Sequence, residues 1–133
     1  GRNTVTVDFA VRARELGAVV IALTSLETSK SVRSRHPSGK LLYEVADLVL
    51  DNCGCRGDAS LVIPGVPEKA APTSTAAGAI ILNAMVAQGI ANIAATGQEV
   101  PVFISANIDG GDAHNQAMLK KYKDHIFYMG HVQ

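Results

Sequence analysis

Apolar and polar positions along the chain alternate with periods that predict both strands and helices. Residues 16–25 include a continuous apolar run, three members of which are β-branched, and the run ends at the hydroxyl pair Thr24 and Ser25. Such a run is typical of a strand buried on both faces of a parallel sheet. We therefore predict a strand at residues 19–23. Thr24 and Ser25 then lie at its carboxyl end, where open α/β sheets bind ligands.

The residues before this strand favour a helix. Apolar side chains recur at nearly helical spacing at Val5, Phe9, Ala13 and Leu16. Asn3 can cap the start of this helix and Gly17 can end it, which predicts a helix at residues 4–16. A helix followed by a strand is half of a βαβ unit, so we expect the preceding strand to lie upstream of this sequence.

The remaining pattern also alternates between strands and helices. It predicts strands at residues 47–51, 60–63 and 101–105, short helices around residues 29–35 and 41–45, longer helices at residues 73–95 and 114–123, and an apolar segment at residues 126–129. Alternating strands and helices indicate a mostly parallel sheet covered on both faces. The predicted class is a doubly wound, three-layer α/β/α fold that lacks its first strand in this chain.

The predicted helix at residues 73–95 is apolar around most of its circumference, so we expect it to be buried on more than one face. Ala77, Gly78 and Ala79 would allow close approach of another helix or subunit. The uncharged stretch contains Asn83 and Gln88, and its many alanines make it weakly apolar for a membrane span. A helix enclosed by protein is the expectation.

Composition narrows the functional classes. A length of 133 residues fits one domain, and 47% hydrophobic against 18% charged residues is enough to build a core. Twelve basic and twelve acidic residues cancel, and tryptophan is absent. Both features argue against nucleic acid or an anionic membrane as the partner.

The two cysteines, Cys53 and Cys55, are separated by one residue, a spacing at which a mutual disulfide would be strained. With no larger cysteine framework, we expect a reducing, cytoplasmic location. The pair lies near Asp51 and Asp58 and could in principle ligate a metal, but no second pair occurs at ligand spacing. Inert thiols are the preferred interpretation, and we predict neither a metal nor a cofactor.

Three segments place hydroxyl or amide groups at predicted helix starts. They are Gly1, Arg2 and Asn3; Thr24 and Ser25 with Ser29; and Thr73, Ser74 and Thr75. A helix start offers unpaired N–H groups and a partial positive charge, which together favour phosphate. Each side chain could instead simply cap its own helix. The predicted topology sends all three segments to one sheet edge, which favours a shared anion site.

The same segments resemble the SIS (sugar isomerase) domain family. Gly1-Arg2-Asn3 resembles the end of its Ser-x-Ser-Gly-x-(Thr/Asn) phosphate loop, and residues 17–25 resemble its second strand with the Thr-Ser end. Residues 46–50 resemble the next strand, and Thr73-Ser74-Thr75 resembles the Ser-Thr that opens its long helix. Residues 36–40, 51–58 and 105–107 resemble a branch described as sugar isomerase domain proteins or phosphoheptose isomerases. The resemblance covers nearly the whole chain and the later part of the domain.

This resemblance implies a five-stranded parallel sheet that binds a phosphorylated sugar at the strand ends. Its phosphate contacts correspond to Gly1, Arg2, Asn3, Thr24 and Ser25, with Ser29 beside them. SIS proteins commonly pair through long helices, which implies a homodimer or larger assembly formed through residues 73–95. A neighbouring subunit often completes the pocket.

Two residues are candidates for catalysis. An aldose–ketose isomerase needs a base that moves a proton between adjacent carbons. Pro67-Glu68 resembles the Pro-Glu of the isomerase domain of glucosamine-6-phosphate synthase, whose glutamate is catalytic; the spacing to Ser74 differs by about one residue. His36 is the histidine best placed for proton transfer. The alternative for both residues, which the sequence favours, is an ordinary loop side chain.

The sequence leaves three functional classes open. The first is an isomerase acting on a sugar phosphate. The second is a non-catalytic sensor that binds the same ligand and signals to a partner. The third is a lyase or etherase acting on an amino-sugar phosphate, since that chemistry also uses a glutamate beside such a site.

Overall fold

Five helices and four short strands make up the part of the chain that the structure describes. The structure is a computed structural model that describes residues 1–125; the predicted apolar segment at residues 126–129 lies outside them. The helices are α1 (Thr4–Glu15), α2 (Leu26–Lys30), α3 (Leu42–Val45), α4 (Ser74–Ala95) and α5 (Gly111–Lys121), and the strands are β1 (Ile21–Thr24), β2 (Leu48–Asp51), β3 (Ala59–Leu61) and β4 (Ala70–Pro72).

The strands form two separate two-stranded sheets. β1 pairs with β2 in parallel, and the register places Thr24 opposite Asp51 at the carboxyl ends. β3 and β4 pair antiparallel, with Leu61 opposite Ala70. The architecture is therefore mixed α/β, and the strands predicted at residues 19–23, 47–51 and 60–63 are confirmed with slightly shifted bounds. The antiparallel pairing of β3 with β4 was not predicted.

A small apolar core joins α1 to the parallel strands. Val7 and Ala10 on the inner face of α1 pack with Val45 of α3, and Val20 lies against this cluster. Beside the core, the Arg14 guanidinium forms a 3.0 Å ion pair with Asp47, whose carboxylate also accepts the Val20 N–H. These contacts fix the start of β1 relative to α1, and the predicted helix at residues 4–16 is confirmed.

Two predicted elements are corrected. The short helix lies at Leu26–Lys30 rather than around residues 29–35, because the Ser25 hydroxyl accepts the Thr28 N–H and so starts the helix earlier. Residues 101–105 form no strand. There the Asn115 side chain accepts the Ile104 N–H and donates to the Ile104 carbonyl, so that these backbone groups are satisfied without a ladder.

α4 occupies the predicted range but is not buried as expected. Gly78 is its one buried residue, and only 6% of its most apolar 18-residue window is buried. Most of its apolar side chains are exposed within residues 1–125, so the prediction of burial on several faces is wrong for the chain alone. By length and composition, α4 is the one helix within residues 1–125 that could cross a membrane, which is weak evidence for a membrane span.

The chain divides into two compact units, Gly1–Val86 and Ala87–Gln133. The first unit contains α1 to α3, all four strands and the start of α4. The second contains the end of α4 and α5. α5 begins slightly earlier than its predicted range of 114–123. The assignment of the whole chain to one domain stays a prediction.

Candidate functional site

A cavity of about 430 Å³ lies in the first unit, at the carboxyl end of β1. Its lining is mostly small, hydroxyl-bearing or glycine residues: Gly1, Arg2, Leu23, Thr24, Ser25, Thr28, Ser29, Val32, Asn52, Gly54, Cys55, Gly57, Asp58 and Ser74. Six of the predicted binding residues are therefore brought together, namely Gly1, Arg2, Thr24, Ser25, Ser29 and Ser74. All three predicted segments contribute to one site.

Thr24 and Ser29 form the most buried polar pair of the cavity. Their hydroxyl oxygens share a 2.9 Å hydrogen bond, and the residues are 9% and 2% exposed. Thr24 is the last residue of β1, and Ser29, which belongs to α2, lies beside it. Because each hydroxyl still has acceptor capacity and can reorient its proton, the pair can adapt to an oxygen-rich ligand.

Gly1 and Arg2 form the wall beside this pair. A Cβ atom at Gly1 would lie 3.0 Å from the Cβ of Leu42 and 3.4 Å from the Ser29 hydroxyl, so that glycine allows this close approach. The carbonyls of Gly1 and Arg2 accept the N–H groups of Leu42 and Arg35, which anchors the segment. The Arg2 Nε is buried and has no hydrogen-bond partner within residues 1–125. A buried guanidinium nitrogen without a partner is suited to receive an anionic oxygen.

Ser25 links β1 to the loop that follows β2. Its hydroxyl donates to the Gly54 carbonyl at 2.6 Å and accepts the Thr28 N–H at 3.1 Å. Asp51 supports the same junction, since its carboxylate accepts the N–H groups of Leu26 and Cys53. These two backbone hydrogen bonds lower the pKa of Asp51 from its ordinary value, and the one from Leu26 contributes most.

Asp58 lines the cavity, although the sequence suggests it only as a possible metal ligand and as part of the family resemblance. Its carboxylate accepts the N–H groups of Thr73 and Ser74, at 3.0 and 2.7 Å, and the Ser74 hydroxyl at 2.6 Å. The Ser74 hydroxyl, followed by the backbone N–H groups, lowers the pKa of Asp58 despite the opposing effect of burial. Asp58 thus caps α4, and its carboxylate occupies the helix start where the sequence predicts a phosphate. Since cap and helix are 15 residues apart in sequence, no local pattern identifies this pair.

Three predicted binding residues lie outside the cavity lining. The Asn3 side chain accepts a hydrogen bond from the Arg35 guanidinium at 3.3 Å and makes no capping bond to α1. The Thr73 hydroxyl donates to the Asp58 carbonyl. Thr75, in the first turn of α4, is not among the residues that line the cavity.

Neither predicted catalytic residue lines the cavity. The His36 Nε2 atom lies 2.8 Å from Asp8 of α1, and the Nδ1 atom lies 2.6 Å from the Ser38 hydroxyl. His36 thereby ties its loop to α1. Glu68 is exposed in the connection between β3 and β4. Their catalytic roles stay predictions that the cavity of this chain does not support.

No group of three or more His, Cys, Asp or Glu side chains that could hold a metal ion occurs within residues 1–125. The two cysteines are free thiols. The polar side-chain groups of the cavity are hydroxyls, one guanidinium, one amide, one carboxylate and the Cys55 thiol. This set suits a polar organic ligand that carries an anionic group.

No family model matches the chain. The chain is similar to the UPF0309 protein of Geobacillus kaustophilus, with 55% identity over 126 residues, or 95% of this chain and 50% of that protein. It is similar to the UPF0309 protein of Shouchella clausii, with 50% identity over 129 residues, or 97% and 52% of the two chains. A Listeria monocytogenes UPF0309 protein is 46% identical over 130 residues, or 98% and 53%. The chain thus spans about half the length of the curated relatives it matches.

Proposed function

We propose that the cavity binds a phosphorylated sugar and that the chain is part of an SIS-like phosphosugar-binding domain. The observation that carries this proposal is the convergence on one cavity of the Thr24–Ser29 hydroxyl pair and of Arg2, whose buried Nε has no hydrogen-bond partner in the part of the chain that the structure describes. A guanidinium and several hydroxyl groups can together satisfy the oxygens of a phosphate dianion. Polar side chains farther along the lining can then bind sugar hydroxyls.

The electrostatics favour one orientation of this ligand. The Asp58 carboxylate carries a negative charge at neutral pH, because its hydrogen bonds hold its pKa below the ordinary value. A phosphate beside Asp58 would be repelled, whereas a sugar hydroxyl could donate to it. The phosphate therefore belongs near Arg2, and the sugar lies toward Asn52, Asp58 and Ser74.

Binding has more support than turnover. Proton transfer between sugar carbons needs a base of suitable pKa within reach of the substrate. Asp58 is the carboxylate of the cavity, but its lowered pKa and its cap hydrogen bonds make it a weak base. Isomerase, lyase and etherase activities therefore remain second candidates, which need a base from elsewhere in the assembled protein.

The proposal extends to the assembly and the location. The exposed apolar side chains of α4 suit a contact with a second copy, which would give a homodimer or larger assembly. A doubly wound sheet of the SIS type and a cytoplasmic location belong to the same proposal. We propose neither nucleic acid nor a membrane as the partner.

Ligand titration of the full-length protein tests the binding. We expect glucose 6-phosphate, or another hexose, heptose or amino-sugar phosphate of a panel, to raise the melting temperature and to give saturable heat in calorimetry. Glucose without phosphate should bind far more weakly. Solvent-proton incorporation at C2, followed by NMR, separates an isomerase from a sensor.

A pair of arginine variants provides the matched control. Arg2→Gln should weaken binding by roughly 10- to 100-fold, the loss expected for one hydrogen bond to a charged group. Arg12→Gln removes an equal charge from the exposed face of α1, where Arg12 pairs with Glu15, and should leave binding unchanged. Equal losses in both variants, or no binding by any sugar phosphate of the panel, would overturn the proposal.

A further inference from the structure

Cys53 and Cys55 flank Gly54 on the loop that follows β2, and both are free thiols. Cys53 is exposed and adopts a φ of 54°, in the left-handed region that non-glycine residues rarely occupy. Cys55 is half-buried and lines the cavity. Its Sγ atom lies 3.4 Å from the Ala59 carbonyl. One accessible thiol and one thiol at the cavity are thus held two residues apart.

The backbone between these thiols is bonded to the hydroxyl side of the cavity. The Gly54 carbonyl accepts the Ser25 hydroxyl at 2.6 Å, and the Cys55 carbonyl accepts the Thr28 hydroxyl at 3.4 Å. A Cβ atom at Gly54 would lie 3.0 Å from the Asn52 side-chain oxygen. The loop is therefore closely packed at the residue that must rotate if the two sulfur atoms approach each other.

We propose that Cys53 and Cys55 form a reversible dithiol–disulfide site that reacts with small-molecule disulfides and changes the cavity. The thiolate of exposed Cys53 attacks one sulfur of the small disulfide, which forms a mixed disulfide and releases one small thiolate. The Cys55 thiolate then attacks the Cys53 sulfur, forms the intramolecular bond and releases the second small thiolate. The two protons lost by the protein thiols are taken up by the two released thiolates. The protein is oxidised by two electrons, and the small disulfide is reduced.

The spacing determines how such a bond would behave. A disulfide requires its Cβ atoms to lie roughly 3.5–4.5 Å apart, which a single intervening residue achieves only with strain. Strained disulfides are more easily reduced than structural ones and act as labile or regulatory bonds. Closing the ring turns the Gly54 peptide and so removes the acceptor of the Ser25 hydroxyl. We therefore expect oxidation to weaken ligand binding, a step that rests on the proposed function.

Oxidised glutathione is the probe, added to the reduced full-length protein. We expect the wild type to lose two hydrogens in intact mass, with peptide mapping that joins Cys53 to Cys55, and reduced glutathione to reverse the reaction. Cys55→Ser should instead retain one glutathione on Cys53, because no second thiol can displace it. The double variant Cys53→Ser, Cys55→Ser has no thiol at this site and is therefore the unreactive control. Persistent glutathione adducts in the wild type without the intramolecular bond would overturn the site.

Two further measurements test the effect on the cavity. Oxidation should shift the amide NMR resonances of Ser25 and Thr28 in the wild type but not in the double variant; unchanged resonances would contradict the coupling. Glucose 6-phosphate should bind the oxidised protein at least tenfold more weakly than the reduced protein. If the reduced protein binds no sugar phosphate, the proposed function fails, whereas the mass and NMR results still decide whether the dithiol site exists.

Discussion

Asp58 shows how one side chain can change the character of a helix start. Two N–H groups at the start of α4 already donate to its carboxylate, so this terminus is neutralised from within the protein. Asp58 has a φ of 70° and the preceding Gly57 a φ of 86°, so both residues lie in the left-handed region. The proposed anion site therefore rests on Arg2 and the hydroxyls rather than on α4.

The pH dependence of stability tests this role of Asp58. The hydrogen bond from the Ser74 hydroxyl, with those from the backbone, holds its pKa in the folded protein below the ordinary value of an aspartate. The ionised carboxylate therefore stabilises the fold fully at pH values above the unfolded-state pKa, and this stabilisation is lost as the pH falls through the lower folded-state pKa. Asp58→Asn should lower the free energy of unfolding at pH 7, and its difference from wild type should shrink below about pH 4. Urea unfolding across this pH range measures both effects.

Asp109→Asn is the control for this experiment. Asp109 lies in a loop of the second unit and accepts no hydrogen bond from any side chain or backbone group in the described residues. Its variant should follow the wild-type curve. If the difference between wild type and Asp58→Asn is constant with pH, the carboxylate does not act through its charge.

The buried pair of Thr24 and Ser29 gives a second prediction. Ser29→Ala leaves the Thr24 hydroxyl without its partner, which should cost about 1–3 kcal/mol in the free energy of unfolding. The double variant Thr24→Val, Ser29→Ala removes both polar groups and should cost less than the sum of the single variants. Chemical denaturation of the four proteins measures the coupling. Strictly additive costs would mean that solvent in the cavity replaces the missing hydroxyl.

The positions of some cavity residues follow from local features of the sequence. Thr24 and Ser25 follow an apolar run, so their place at the end of β1 could be predicted, as could the return of Ser29 to the same edge. The hydrogen-bond partner of Ser74 could not be predicted, because Asp58 comes close to α4 only through the pairing of β3 with β4. The lack of a partner for the Arg2 Nε likewise depends on packing. The type of a polar side chain is known from the sequence, but its hydrogen-bond partner depends on the fold.

At the scale of elements, the glycines of α4 and α5 differ in what surrounds them. Gly89 lies within α4, and nothing approaches within 4 Å of the Cβ atom that a side chain would add. Gly111 begins α5, where an added Cβ atom would lie 2.2 Å from the Ser105 carbonyl oxygen. Glycine is therefore dispensable in the first position and required in the second.

Alanine substitutions at these two glycines should have opposite effects. Gly89→Ala should stabilise α4 by about 0.5–1 kcal/mol, because alanine loses less backbone entropy in a helix interior. Gly111→Ala should destabilise the protein, because the backbone carbonyl of Ser105 must move to admit the methyl group. Thermal unfolding of the two variants provides the comparison, and each variant serves as the other's control. Stabilisation by both would contradict the close packing at the start of α5.

The predicted elements failed where a long-range partner decided between alternatives. Residues 101–105 have the apolar and β-branched composition of a strand, but the Asn115 side chain satisfies the backbone at Ile104 in place of a neighbouring strand. α4 was predicted with nearly correct bounds because its start signal and its length are local. Its burial depends on other chains or segments, which no periodicity reveals.

At the scale of the whole molecule, the proposed assembly rests on the exposed apolar side chains of α4. Leu82 and Val86 are 49% and 61% exposed and lie one helical turn apart, and Ile93 continues the stripe. Leaving such a contiguous apolar stripe in water is unfavourable, at roughly 25 cal/mol per Å² of apolar surface. A second copy that packs α4 against its own α4 would remove both stripes from water at once, as a two-fold contact does.

Charge substitutions on α4 test this assembly. Leu82→Glu and Val86→Glu would each place two like charges in a two-fold contact, so the full-length protein should change from a dimer to a monomer in light scattering coupled to size-exclusion chromatography. Val62→Glu changes an equally apolar position, 75% exposed on the loop after β3, and should leave the dimer intact. A dimer that survives both α4 variants would place the contact elsewhere. A wild type that is monomeric at every concentration would remove the second copy as the cover of α4.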